Sequence, residues 1–271
     1  MSVTTPIHSD DRPRLSRRLL TLGSTLLVLA SACFGIAPAP TAAKKKKKDP
    51  CKNPKSGANL DSCNLSYQDL TGKDLSMASM YGTFLSDDRA PGEPTSSFND
   101  ANLNMVNGRC AIAVDGQFQG ASMEFSNFAN ANFSMANLRE VVANSSSWTG
   151  INLAGADLTD AVLDNVDLSA ASIDGANFTN ASFIAGKFYL TNASNVNFTG
   201  VDFQSAEVTG SVFFGSNFTN ADFTNAIFSN ANLKQATLLG ATYNETDLLN
   251  GSFRCNTIMS DGSISNTHCA S

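Results

Sequence analysis

Residues 216–233 read SNFTNADFTNAIFSNANL, with Phe218, Phe223, Phe228 and Leu233 five apart. The same ruler laid from Phe98 to Phe253 meets 32 positions, and 28 of them carry a large apolar residue. The exceptions are Gly108, Ala113, Ala143 and Ala193. Two residues before each mark the side chain is Ala, Gly, Ser, Thr, Val or Ile. A short fixed period sustained over so long a stretch is the mark of a solenoid.

Five is odd, whereas side chains alternate faces along a strand. A straight strand would turn each large residue to the opposite side. To keep them all inside, the chain must bend once per repeat. With the large position called i, residues i and i−2 point inward, i−1 points outward, and i+1 with i+2 make a corner. The corner pairs Ala129-Asn130, Thr149-Gly150, Thr159-Asp160 and Ser229-Asn230 fit, because Asn, Gly, Asp and Ser are turn residues. Successive wraps pair about 4.8 Å apart, leaving unpaired backbone only at the ends.

The units Ala156-Asp157-Leu158-Thr159-Asp160 and Ala221-Asp222-Phe223-Thr224-Asn225 resemble the pentapeptide-repeat family. The resemblance covers 58–87 and 96–255. It implies an all-β fold, a right-handed quadrilateral β-helix with four repeats per coil. The 32 marks then make eight coils, roughly 40 Å of axis at this stacking distance.

The flanks define six segments. Residues 1–43 read as a cleaved export signal: Arg14 to Arg18 are positive, Leu19 to Ala32 are apolar, and Ala30-Ser31-Ala32 precedes Cys33. Ser16-Arg17-Arg18-Leu19-Leu20 resembles a twin-arginine signal. Cys33 offers a minority lipoprotein reading. Residues 44–57 are a basic, proline-containing linker, for which disorder is expected. Lys44 to Lys48 within it suit peripheral contact with an anionic membrane or wall polymer. Residues 58–87 form the first coils, with Leu60, Leu65, Leu70, Leu75, Met80 and Leu85 in phase. Residues 88–97 are an inserted loop, 98–255 the main helix and 256–271 a hairpin cap. Gln68 and Lys73 at inward i−2 positions predict a first coil open to solvent on that side.

Net charge is −6 overall. Within 98–253, 14 acidic residues face Arg109, Arg139, Lys187 and Lys234, a net of 4 − 14 = −10. No basic groove is present, so nucleic-acid binding is not expected. Six cysteines suit an exported protein. Asp261-Gly262 predicts a two-residue turn that opposes Ser260 with Ser263 and brings Cys255 near Cys269. A Cys255–Cys269 disulfide would lock the cap, and Cys51 with Cys63 could lock the other end. Cys110 reads either as a free thiol or as an alternative partner for Cys63.

Catalytic chemistry is sparse. His8 lies in the leader and His268 in the tail, so no His-based constellation forms in the repeats. Asp167, Glu207 and Asp247 recur on alternate coils of one face, about 9.6 Å apart, too far to share a metal. No cofactor is called for. One loose apolar ridge stands out: Met105, Phe125, Val142, Val162 and Ile184 all point outward on one side. It reads as a surface for a protein partner or for self-association. The leading function is an exported, non-enzymatic scaffold or protein-binding rod. The resemblance implies one alternative, a DNA-mimicking acidic helix that binds DNA gyrase, which the leader disfavours. A separate alternative, a carbohydrate-active β-helix enzyme, needs a cleft of acids and bases on one face that the sequence does not assemble.

Overall fold

The computed structural model describes residues 49–66, 68–85, 97–244, 251–267 and 269. The leader with Cys33, Lys44 to Lys48, most of the insert, Asp247 and His268 lie outside the described residues. The chain winds as a right-handed, four-sided β-helix. Each side pairs in parallel with the same side of the next coil, as Asn137 does with Asp157 and Asp157 with Asn177. We number the sides one to four after the inward residues of one coil: Phe98, Leu103, Gly108 and Ala113.

Most sides are too short for more than a single backbone bridge. On side three three regular strands form, β1 (Lys187–Tyr189), β2 (Glu207–Thr209) and β3 (Ile227–Ser229), parallel in the order β1-β2-β3. Their outward, inward, outward burial follows from a strand's alternation.

Most corners are built one way. The N–H of i+3 donates to the carbonyl of i, as Ala131 does to Phe128 at 3.0 Å. The intervening i+2 residue is left-handed: φ is 59° at Asn130, 60° at Met135 and 56° at Phe125. That conformation costs about 1–2 kcal/mol for a residue other than Gly. The offset is visible, because the corner N–H donates to the next coil: Asn130 to Thr149 O and Asp160 to Thr179 O, both 2.9 Å. Asn and Asp at i−1 tighten many corners, their side chains accepting the N–H of i+1, as Asn127 does from Ala129.

Inside, the i residues stack in four columns. On side one Phe178, Phe198 and Phe218 lie 5.4 and 4.9 Å apart, within 15° of parallel. On side two Phe183, Phe203 and Phe223 repeat this at 5.5 and 5.1 Å. Rings of neighbouring columns meet nearly edge-on, so the two stacks interlock. Trp148 is also fully buried, though its Nε1 has no hydrogen-bond partner. Gly108 breaks the apolar period for a steric reason. A Cβ there would lie 2.2 Å from Cε1 of Phe128, whose ring fills the place above it.

Four boundaries differ from the sequence reading. Asp69 pairs with Ser97, 28 residues on, so the insert adds eight residues to a 20-residue coil, and Ser97 belongs to the wall. Asn232 pairs with Phe253, 21 residues on. That single extra residue flips the alternation, so Phe253 points outward at 43% exposure while Ser252 turns inward. The wall also runs past 255, since Ile258 pairs in parallel with Thr237. At the other end Gly57 already donates to Ser76 O, and Pro50–Lys52 form a 3-10 turn, so 49–57 is structured rather than a disordered linker. Lys73 is exposed on the open first coil, and Gln68 Nε2 reaches Cys51 O at 3.0 Å.

The cap is a hairpin of β4 (Thr257–Ile258) and β5 (Ile264–Ser265), with Ile258 opposite Ile264. The turn is one residue longer than Asp-Gly alone predicts. Met259 and Ser263 flank three loop residues, Gly262 takes φ 83°, and its N–H donates to Met259 O. This is the three-residue loop with a left-handed Gly.

Gly108→Ala is expected to lower unfolding stability by about 1–3 kcal/mol through overpacking. Adding Phe128→Leu should recover part of that loss in denaturant titrations. An unchanged midpoint for Gly108→Ala alone would contradict the packing described for this column.

Candidate binding surface

Four-sided coils sort outward residues into vertical rows. At the corner between sides two and three, Met105 and Phe125 are consecutive, and their exposures are 58% and 60%. Met77 stands directly beneath at 66%, because Asp74 pairs with Asn102 across the insert. All three are left-handed, with φ between 56° and 59°. The row continues as Ser145, Asn165 and Ala185. The 28-residue step hides Met77 from a count of twenties; subtracting the eight inserted residues recovers it.

The other ridge residues lie on side two. Val142 and Val162 pair directly and are half-buried in the wall. Ile184 is 38% exposed, in a different row. The structure thus joins Met105 to Phe125 and Val142 to Val162, and leaves Ile184 apart. Phe84 and Ile112 form a further exposed apolar pair on side four.

Polar order dominates side one. Asn177, Asn197 and Asn217 each accept from their own Thr179, Thr199 and Thr219 hydroxyls, at 2.6–2.7 Å. The Asn amides donate one coil back, Asn197 Nδ2 to Thr179 Oγ1 and Asn217 Nδ2 to Thr199 Oγ1, both 2.9 Å. Asp157 heads this ladder and meets Arg139 Nη1 at 3.3 Å. Burial works against its ionisation, but hydrogen bonds from Thr159 and Arg139 outweigh that and hold its carboxyl below the usual value. On side three Lys187 stands between Asp167 and Glu207. Tyr189 donates to Glu207, which pushes its phenol above the ordinary range. Among the described residues no group of three or more His, Cys, Asp or Glu is placed to hold a metal ion.

The ends carry the covalent links. Cys51 is bonded to Cys63 beneath the first coil and Cys255 to Cys269 above the last. Cys110 is itself disulfide-bonded, so it is neither a free thiol nor the partner of Cys63.

Fold and surface together define a solenoid whose wall is made of five-residue units. Two family models, both described as pentapeptide repeats, match residues 193–248 and residues 115–142 with 147–183. The chain belongs to the pentapeptide-repeat family. Among solved structures it is similar to HetL, a pentapeptide-repeat protein involved in heterocyst differentiation regulation from Nostoc sp. strain PCC 7120. Identity is 23%, coverage 79% of this chain and 95% of HetL, and TM-score 0.31. It is also similar to full-length QnrB1, a plasmid-mediated fluoroquinolone resistance protein, at 14% identity, with 72% and 88% coverage and TM-score 0.27. A pentapeptide-repeat protein of the Arabidopsis thaliana thylakoid lumen matches at 23% identity, with 40% and 68% coverage and TM-score 0.23. No curated protein sequence matches the chain.

Because folding lowers the Asp157 pKa, the folded chain gains stability from this group above its unfolded value of about 3.8. That gain is lost as pH falls through the lower folded value. Asp157→Asn, which keeps the ladder's acceptor, should flatten the acid limb of a melting-temperature profile. An acid limb identical to that of the unaltered chain would rule out this contribution.

Proposed function

We propose that this chain is an exported, non-enzymatic rod that holds a partner protein on the corner between sides two and three. The observation that carries the reading is the row Met77, Met105, Phe125. Left-handed corners favour Gly, Asn and Asp. Three bulky apolar side chains there add strain and exposed area, and they give nothing to the core. A partner presenting apolar side chains would account for them, and methionine adapts well to such a surface. Val142, Val162 and Ile184 flank the row on side two.

Export is supported by the leader pattern of Arg14 to Arg18 followed by Leu19 to Ala32. Disulfides at both ends suit an oxidising compartment. Lys44 to Lys48 would add peripheral contact with an anionic membrane or wall polymer.

Met105→Asp with Phe125→Asp should abolish capture of the partner from an extracytoplasmic fraction. The unfolding free energy should change by no more than about 0.5 kcal/mol, as for surface changes generally. Ile184→Asp should weaken capture less. Unchanged capture by the double variant would remove the corner from the reading. Fractionation that finds the chain in the cytoplasm with an intact leader would remove export and favour the gyrase alternative.

A further inference from the structure

The two ends of this solenoid carry complementary backbone groups, and each is closed by a segment pinned by a disulfide. In every interior coil the N–H groups of i and i+2 donate to the coil that follows, as Phe218 does to Thr237 O and Asn220 to Leu239 O. In the last coil the corresponding groups are Arg254, Asn256 and Met259. The cap takes all three: Arg254 N–H donates to Thr267 O at 3.0 Å, Asn256 N–H to Asn266 Oδ1 at 2.9 Å, and Met259 N–H to Ser263 O at 2.8 Å. The hairpin therefore occupies these three donors, which a further coil would use on sides four and one. The Cys255–Cys269 bond ties its returning strand down beside them.

The first coil is the counterpart. Interior i donors reach the carbonyl of i−1 in the same column, and i+2 donors reach that of i+1. At the starting mouth the acceptors that correspond to those three donors are Asn64 and Ser66 on side four and Asp69 on side one. Among the described residues no N–H donates to any of these three carbonyls. They match Arg254 and Asn256 on side four and Met259 on side one, column for column. Beneath these same columns runs the segment 49–53, held by the Cys51–Cys63 bond and by Gln68 Nε2 on Cys51 O.

We infer that the partner fitted by each end is the opposite end of a second copy of this chain, and that the two disulfide-held caps prevent coaxial, head-to-tail joining. A heterologous contact of this kind does not close on itself, and an uncapped solenoid end is an open template for strand addition.

Two full-length variants test this. Cys255→Ser/Cys269→Ser frees the donor end alone, and Cys51→Ser/Cys63→Ser frees the acceptor end alone. Each by itself should sediment at the mass of a single chain. An equimolar mixture should give a species of doubled mass that dissociates on dilution. The chain carrying all four substitutions should give a ladder of whole multiples. Circular dichroism establishes that both pair variants keep the β-helix. A mixture of folded variants that stays at monomer mass overturns the proposal. So does doubling by either variant alone, because like ends present like groups.

Discussion

The structure depends on a left-handed residue at every corner. A five-residue period keeps the large side chain inside only if the chain turns once per repeat. The turn is closed by placing i+2 where only Gly sits without strain. Asn130, Asp160, Met135 and Phe125 sit there anyway. The conformation persists because it aims the corner N–H along the axis at a carbonyl of the next coil. Neighbouring coils thus stabilise the corners, and the corners hold the coils in register. An isolated coil has neither support.

The same register sets the interior. Coils that repeat at the strand spacing place one ring above another at close to that distance, so Phe178, Phe198 and Phe218 stack almost parallel. Adjacent columns must then meet edge-on. Gly108 shows how little freedom remains: where the Phe128 ring leans into the coil below, the residue there has no side chain. The polar ladder of Asn177, Asn197 and Asn217 is the outer counterpart, satisfying side-chain donors between coils.

The body of the fold was legible because one periodicity governs core, corners and pairing together. Phe218, Phe223 and Phe228 suffice to place the inward face. Legibility failed where a residue is gained between coils. The extra residue before Phe253 leaves the composition pattern intact yet turns that ring outward. The insert broke the count and hid Met77 from Met105, although both are apolar corner residues. The cap turn departs from its sequence pattern by one residue because Asp261-Gly262 suits a two-residue turn, while Gly262 serves here as the left-handed third residue of a longer one. The candidate surface was only half readable. Met105 and Phe125 are a fixed step apart, but the half-burial of Val142 and Val162 depends on the wall around them.

The insert after Leu85 bears on how such a chain tolerates change. Eight residues are added, yet Asp69 still lies under Ser97 and every later side keeps its place. Residues added between Leu85 and Ser97 leave the later geometry untouched. Five residues added within the wall would keep the inward period but change which residues stack across the insertion, rotate all subsequent faces by a quarter turn, and scramble any message written on the outside. A whole coil is thus the smallest wall segment that can be copied or lost without changing what later faces display, so the length of this molecule and the pattern on its surface can vary independently only in steps of four repeats.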